Sequence, residues 1–282
     1  MDANARYCEA QVREFARDRY LATLFAPSDR RVALYALYAF DIELARIRDL
    51  AREPMPGEIR LQWWRDVLEG KRDGEARAHP VAAILMDTLD RYGVDRAGLQ
   101  AMVDARTFDL YNEPFAIMDD WQRYARATRC ELIASAMRVI AGEVEVGAGV
   151  ARHVGFAVAG LDSLRGLPLH LSRGQCFVPL DVLKAFGARL EDGLAGRMTP
   201  EWKVALASVR QHIRDDLDAA FASIDDVPQA ALPVLLPCAV IRPILARMDM
   251  DSSNPLLPDE LPQWRRQWLL WRAARNPRRI FG

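Results

Sequence analysis

Residues 154–179 read VGFAVAGLDSLRGLPLHLSRGQCFVP, and this stretch decides the fold of the chain. Its first half repeats apolar residues at the three- and four-residue spacing of a helix. Pro168 is expected to end or kink that helix, because proline lacks an amide hydrogen and clashes with the preceding turn. Asp162 is the single acidic residue of the stretch, and Arg165 and Arg173 are basic. The segment therefore predicts a helix with a broken end and little negative charge.

The same helical spacing continues over almost the whole chain, and alternation of period two is hard to find. We therefore predict an all-α protein. The connections between helices are short, apart from residues 187–198 and 251–262, and neither resembles a flexible interdomain linker. One domain over residues 1–282 is the expected organisation. The predicted helices cover residues 30–52, 57–68, 80–92, 95–111, 119–140, 145–170, 200–224, 228–248 and 261–274.

Composition limits the classes of function. The chain has 282 residues, 38 basic and 39 acidic side chains, so a nucleic-acid binder that acts through a global basic field is not expected. Its four cysteines are widely scattered, which predicts reduced thiols and neither disulfides nor structural zinc. Residues 1–10 lack an apolar signal segment, and prolines and Arg242 interrupt the apolar run of residues 230–248. We expect a cytoplasmic protein without a signal peptide or membrane span.

A set of short motifs is similar, in order and spacing, to the squalene/phytoene synthase family. The resemblance covers roughly residues 20–185 and implies the all-α isoprenoid synthase fold, a helical bundle around a deep central cavity. The matching motifs are PSDRR at 27–31, ALYALYAF at 33–40, RLQWWR at 60–65, HPV at 79–81, LR at 164–165, RG at 173–174 and FVP at 177–179.

Active members of that family carry two aspartate-rich motifs on facing helices, which bind the magnesium ions that neutralise a diphosphate leaving group. This chain departs from both motifs. Ala45 and Arg46 stand where the two leading aspartates of the first motif are expected, and Asp49 remains. In the second motif Gly166, Leu169 and His170 replace the acids. The resemblance therefore implies the fold of the family without its usual metal ligands.

Two interpretations of the remaining polar residues stay open. Asp41, Asp49 and Asp162 could form a shifted and weaker magnesium site, or Asp41 and Glu43 could be helix-face charges paired with arginines. We favour ion pairing. His170 could act as a general base, but no nucleophile or orienting acid is visible beside it, so we favour a capping or solvated histidine. Tyr35, Tyr38 and the pair Trp63–Trp64 are expected in the core or the cavity lining.

The last predicted helix places Trp264, Trp268 and Trp271 on one stripe among several arginines and no acidic residue. A basic amphipathic helix of this kind can lie on an anionic membrane or dock a partner. The alternative is a final helix that packs onto the bundle through its tryptophans, with its arginines in solvent. We favour packing through the tryptophans and keep contact with a partner, or peripheral contact with the inner membrane, as the second interpretation.

Within the family, the chain resembles the branch that contains a mitochondrial assembly factor of respiratory complex I, which also lacks the aspartate motifs. The resemblance implies a noncatalytic scaffold with a respiratory-chain client protein and a prenyl or lipid-like ligand, without a cofactor. The alternative is a divergent magnesium-dependent prenyltransferase that joins two prenyl diphosphates head to head, or a prenyl diphosphate phosphatase. The expected ligand-binding residues are Tyr38, Asp41, Arg46, Asp49, Arg165, His170 and Arg173.

Overall fold

The computed structural model describes residues 2–51, 53–142, 148–250, 253–257 and 260–282. These residues are mostly helical and contain no β-strand, which confirms the all-α prediction. The α-helices are α1 (Ala3–Phe15), α2 (Arg17–Thr23), α3 (Arg31–Leu50), α4 (Pro54–Leu68), α5 (Asp73–Ala78), α6 (Pro80–Tyr92), α7 (Arg96–Ala105), α8 (Met118–Ala125), α9 (Glu131–Ala141), α10 (Ala148–Arg165), α11 (Leu167–Ser172), α12 (Leu180–Ala185), α13 (Leu190–Leu194), α14 (Pro200–Ala222), α15 (Leu232–Leu235), α16 (Ile241–Met248) and α17 (Gln263–Arg275).

Helix α3 forms the centre of the bundle and packs against α1, α4, α6 and α9. Its apolar residues lie on almost all sides, which is typical of a helix surrounded by others. The helix was predicted to end at residue 52, which lies outside the described residues; it ends at Leu50. A polar side chain on such a helix must find its partners inside the protein, because burying it unpaired costs free energy.

Helix α10 is the second central element and packs against α9 and α14. It ends at Arg165, and the short helix α11 carries Pro168 in its first turn. Proline is tolerated there because the first amide groups of a helix have no partner within it. The predicted break near Pro168 is therefore confirmed. The predicted start of this helix, at residue 145, lies outside the described residues.

Two long predicted helices are interrupted. Residues 119–140 form α8 and α9 with a π-helical turn, Arg126–Cys130, between them. Residues 228–248 form α15 and α16, with the 3₁₀ turns Gln229–Ala231 and Leu236–Val240, because prolines remove helical hydrogen bonds. By length and composition the segment Gln229–Met248 could cross a membrane, with a mean hydropathy of 1.6, but 61% of its most apolar window is buried. That burial is typical of a core segment.

A close helix contact holds the π-helical turn in place. A Cβ atom at Gly155 of α10 would lie 2.4 Å from Sγ of Cys130 and 2.6 Å from its Cα. Such distances are shorter than any real Cβ contact, so glycine is required for this approach. The contact places Arg129, which belongs to the same turn, beside α10.

Two expectations from the sequence need correction, and some helices were not predicted at all. Helices α1 and α2 were not predicted, although α1 packs directly on α3 and α6. Residues 187–198, expected to be a connection, contain the short helix α13. In α17 the tryptophans do not pack onto the bundle: Trp264, Trp268 and Trp271 are 70%, 46% and 46% exposed. The helix packs instead through its smaller residues, Leu270 and Ala273, which are both buried.

Candidate functional site

Two adjoining cavities lie between α3 and α10. The larger has a volume of about 800 Å³ and is also bordered by α1, α2, α16 and the start of α17. The smaller has a volume of about 220 Å³ and is closed on its far side by α11 and the residues that follow it. Both cavities are lined by Ala45 and Asp49 of α3, by Arg129, and by Asp162 of α10. The four shared residues make one continuous candidate site.

Asp41 is the central charge of this site and is only 2% exposed. Its Oδ2 accepts hydrogen bonds from Nη1 of Arg19 at 2.7 Å and from Nη1 of Arg129 at 2.5 Å. Its Oδ1 accepts a hydrogen bond from Nη2 of Arg106 at 2.9 Å. Burial opposes ionisation, but the guanidinium groups of Arg129, Arg19 and Arg106 outweigh it and hold the pKa of Asp41 well below its usual range. Asp41 is therefore a carboxylate bound by three arginines.

Arg106 extends this network away from the cavities. Its Nη1 donates to Oδ2 of Asp109 at 3.0 Å and to the hydroxyl of Tyr124 at 2.8 Å. The Tyr124 hydroxyl in turn donates to Oδ1 of Asp109 at 2.8 Å. Burial raises the pKa of Tyr124 well above its usual range, so the hydroxyl keeps its proton and remains a donor. The network is thus held on α3, on the turn after α7 and on α8.

The other two cavity carboxylates are also paired with arginine. Nε of Arg129 donates to Oδ2 of Asp162 at 2.7 Å, so one guanidinium bridges Asp162 and Asp41. Nη1 of Arg173 donates to Oδ1 of Asp49 at 2.6 Å. Unlike Asp41, both of these carboxylates are partly open to solvent. The structure brings Asp41, Asp49 and Asp162 to one site, with an arginine bound to each.

At the positions where the resemblance implies acidic side chains, this chain has other residues. Arg46 lines the larger cavity, and its guanidinium lies 3.8 Å from the ring centroid of Phe15. A Cβ atom at Gly166 would lie 2.3 Å from Cε1 of His170, so the imidazole occupies the space that a side chain at residue 166 needs. Neither Arg46 nor Gly166 offers a side-chain oxygen that could bind a metal ion.

His170 is neither capping nor solvated, so the favoured sequence interpretation of this residue was wrong. Its ring lines the smaller cavity and packs on Phe177, with 4.4 Å between ring centroids. Its buried Nδ1 makes no hydrogen bond to the described residues. Burial lowers the pKa of His170, which favours a neutral ring at neutral pH.

Tyr38 and Glu43 lie outside both cavities. Tyr38 is buried beneath the guanidinium of Arg19, which lies 5.5 Å from the ring centroid. Glu43 was expected to pair with an arginine, yet its Oε2 lies 3.6 Å from Nε2 of His79. Burial raises the pKa of Glu43 to about 7, against a smaller opposing effect of Arg46. Tyr38 supports the arginine network, and Glu43 forms a separate, half-buried pair with His79.

Arginines also form the rim of the larger cavity. Arg165, the last residue of α10, is ion-paired with Glu260. Nη1 of Arg266 in α17 donates to the same carboxylate at 2.8 Å, and its Nε donates to Oδ1 of Asp18 at 3.0 Å. The rim therefore joins α10, α17 and α2 through alternating charges.

Sequence reasoning did not find Arg19, Arg106 or Arg129, which are the three partners of Asp41. Each is a single arginine in a different element, separated from Asp41 by 22, 65 and 88 residues. A basic residue on an otherwise apolar helix face is the weak signal that points to such a buried partner.

The carboxylates of the cavities can be compared with the ligands that a magnesium ion needs. Mg²⁺ needs near-octahedral oxygen ligands, usually one or two carboxylates with water and substrate phosphates. Here the three candidate carboxylates are each ion-paired with an arginine: Asp41 and Asp162 with Arg129, and Asp49 with Arg173. Over the described ranges, no group of three or more His, Cys, Asp or Glu side chains is arranged to hold a metal. The residues do not fit the metal site that the resemblance implies.

Comparison with known proteins identifies the family of this chain. The sequence model of squalene/phytoene synthases matches residues 12–272. The chain belongs to this family. Two solved structures share the fold: a dehydrosqualene synthase with a TM-score of 0.83 at 14% identity, covering 96% of this chain and 95% of that one, and the squalene synthase HpnC from Alicyclobacillus acidocaldarius, with 0.74 at 20%, covering 87% and 92%. The expected isoprenoid synthase fold is confirmed.

Among squalene/phytoene synthase relatives, the chain is similar to proteins of two kinds. It is 26% identical over 254 residues to the human NADH dehydrogenase (ubiquinone) complex I assembly factor 6, covering 89% of this chain and 76% of the relative. It is 27% identical over 257 residues to the chloroplastic phytoene synthase 2 of Solanum lycopersicum, covering 88% and 82%. The predicted resemblance to the assembly-factor branch is confirmed.

Proposed function

We propose that this chain is a noncatalytic scaffold of the squalene/phytoene synthase family that acts in the assembly of respiratory complex I. The observation that carries the proposal is the pairing of Asp41, Asp49 and Asp162 with arginine side chains. Guanidinium groups supply the positive charge at the place where the family uses metal. The similarity to complex I assembly factor 6 supports a respiratory-chain protein as its client.

The larger cavity supports a prenyl or lipid-like ligand as part of this proposal. Its walls include apolar side chains of α3 and α10, among them Ile42, Val158 and Leu161. Its rim carries Arg46 and Arg165, which can bind an anionic head group by charge-assisted hydrogen bonds. Arg173 extends the basic side of the site into the smaller cavity. No metal cofactor is proposed.

A direct assay separates the scaffold from an enzyme. The purified protein is incubated with farnesyl or geranylgeranyl diphosphate and magnesium, and hydrocarbon products and released diphosphate are measured beside an active phytoene synthase. We expect neither product nor release, because the carboxylates that would bind magnesium are bound to arginine. Product that forms in the wild type and disappears in Asp49→Asn would establish the enzyme and overturn the scaffold.

Ligand binding is tested with farnesyl diphosphate in the presence of EDTA. We expect binding by calorimetry without metal, and about a tenfold loss of affinity in Arg165→Gln, because one charge-assisted contact is removed. Arg189→Gln is the matched control, since Arg189 is exposed and does not line the described cavities. Equal affinities of the two variants would show that Arg165 does not contact the ligand.

The assembly role is tested in cells. Deleting the gene is expected to lower the amount of assembled complex I, measured by native electrophoresis and by NADH oxidation in membranes. The wild type and Asp49→Asn should restore it equally, since the proposed role needs no metal ligand. Normal complex I in the deletion strain would contradict the assembly role and leave the enzymatic assay to decide the function.

A further inference from the structure

Helix α17 presents an unusual outer face. Trp264, Trp268 and Trp271 follow one another at intervals of four and three residues, so they share one side of the helix. All three are among the exposed large apolar residues of the chain. With a rise of 1.5 Å per residue, the row extends about 10 Å along the surface. Such a row of indole rings is rarely left bare on a soluble surface unless it has a partner.

Basic charge surrounds the row. Residues 261–282 contain six arginines and no acidic residue. The guanidinium of Arg272 lies 4.2 Å from the centroid of Trp268, and that of Arg275 lies 4.1 Å from the centroid of Trp271. No carboxylate in the part of the chain that the structure describes pairs with Arg265, Arg272 or Arg275. The face therefore combines large amphipathic rings with positive charge that lacks a carboxylate partner among these residues.

We propose that this face of α17 docks on the surface of an anionic lipid bilayer. Indole rings prefer the head-group region, where the ring is apolar on one side and its N–H can reach water or phosphate. Arginines placed around the rings pair with lipid phosphates and are attracted by the negative surface of the bilayer. Arg265, Arg272 and Arg275, which have no carboxylate partner among the described residues, match phosphate head groups, whereas Arg266 and Arg278 are ion-paired within the chain.

The inner side of the same helix holds it in a fixed orientation. Leu270 and Ala273 are buried against the bundle, and Arg266 is anchored to Asp18 and Glu260. Gln263 and Arg266 also line the larger cavity. Docking through the outer face would thus leave the cavity-lining side of α17 turned toward the bundle. The docking itself does not depend on what the cavity binds.

The test is co-sedimentation with vesicles made of equal parts phosphatidylglycerol and phosphatidylcholine, compared with vesicles of phosphatidylcholine alone. The wild type is expected to bind the anionic vesicles at least about tenfold more tightly, and added salt should weaken this binding. The triple variant Trp264→Ala, Trp268→Ala, Trp271→Ala should lose about tenfold or more. Arg265→Gln combined with Arg275→Gln should lower affinity for anionic vesicles only.

The matched control is Met55→Ala with Ile59→Ala, which removes two side chains on α4 that are 71% and 65% exposed. It should bind anionic vesicles like the wild type. Thermal unfolding of every variant shows whether the fold is kept. Unchanged sedimentation of the folded tryptophan variant, or equal binding of the wild type to both vesicles, would overturn the proposal. Failure of the wild type to bind either vesicle would also overturn it and point to a protein partner.

Discussion

At the residue scale, the network around Asp41 joins three guanidinium groups to three carboxylates. Arg19, Arg106 and Arg129 face Asp41, and the same arginines reach Asp109 and Asp162. A buried charge is tolerated when partners of opposite sign satisfy it, and it is very costly when a partner is removed. The network is balanced in formal charge, so each carboxylate in it depends on the arginines that it neutralises.

The first prediction concerns the centre of this network. Asp41→Asn removes one negative charge and leaves the facing guanidinium groups undercompensated in a buried place. We expect the free energy of unfolding to fall by about 3–5 kcal/mol. Denaturation with urea, followed by circular dichroism, measures the change.

Asp49→Asn is the matched control for this substitution. Asp49 also pairs with one arginine, but both side chains are partly exposed to solvent. Ion pairs of this kind contribute about 0–1 kcal/mol. A loss in Asp41→Asn no larger than that in Asp49→Asn would show that Asp41 is not the electrostatic centre of the site.

The second prediction concerns the pH dependence that Glu43 creates. Burial raises its pKa from the ordinary value of 4.5 to about 7 in the folded protein. Between these values the folded state holds a proton that the unfolded chain releases, so stability falls as the pH rises through this window. Glu43→Gln removes this effect. The variant should be more stable than the wild type by at most about 3 kcal/mol near pH 8.

Urea denaturation of both proteins from about pH 4 to pH 8 measures this difference. The advantage of Glu43→Gln should shrink to nearly zero at the acidic end, where the carboxyl is protonated in both states. Burial lowers the pKa of the neighbouring His79 and acts in the opposite direction, but it is common to both proteins. A difference that stays constant over this range would contradict the raised pKa of Glu43.

How far the sequence predicts the site depends on the distance between partners along the chain. Asp41 lies on the same helix as Ala45 and Asp49, so its approximate place near them could be predicted from helical spacing. Its arginine partners come from distant elements, and no local pattern encodes which of many arginines turns inward. His170 was misjudged for a related reason, because its burial depends on the contact with Phe177.

At the element scale, boundaries with local chemical signals were predicted best. Helix α6 begins with Pro80 in its first turn, follows the capping His79, and ends before Gly93. Gly93 has a φ of 62°, a left-handed conformation that favours glycine. Helices α1 and α2 were not predicted, because their positions follow from packing against α3 and α17. The π-helical turn likewise depends on a neighbour in space.

The third prediction tests that neighbour. Gly155→Ala introduces a methyl group into the contact between α10 and the turn Arg126–Cys130, where backbone atoms lie within 2.7 Å. We expect a loss of about 1–3 kcal/mol in the free energy of unfolding, because backbone cannot yield as a flexible side chain can. Thermal and urea unfolding measure it.

Gly149→Ala on the same helix is the control. A Cβ atom there meets no heavy atom within 4 Å. Alanine has the higher helix propensity, so this variant should be as stable as the wild type or more stable by up to about 1 kcal/mol. If both variants were equally stable, the close contact at Gly155 would not be what fixes the turn.

At the scale of the whole molecule, the bundle has the fold of its family, and arginine side chains are bound to Asp41, Asp49 and Asp162 in its cavities. Cavity shape depends on many packing contacts, among them those of α3 with α1 and α6 and those of α10 with α14, so it survives substitutions at single polar positions. Metal binding depends on a few oxygen atoms, and replacement of these atoms is enough to change the chemistry. The fold was therefore predictable from short motifs, whereas the function must be argued from the charges within the cavity.

The last prediction concerns the packing of the C-terminal residues in the core of the bundle. Ile280 and Phe281 are buried in the core, and the backbone carbonyl of Phe281 accepts a hydrogen bond from Nε of Arg242. Phe281→Ala should therefore lower the free energy of unfolding by about 3–5 kcal/mol, because it leaves a cavity in the core. Trp271→Ala, on the exposed side of the neighbouring helix, should change it by less than about 1 kcal/mol. Urea denaturation of the two variants, each checked for a single cooperative transition, compares these losses. A small loss in Phe281→Ala would mean that residues 276–282 are dispensable for the fold, and a large loss in Trp271→Ala would mean that the indole packs onto the bundle after all.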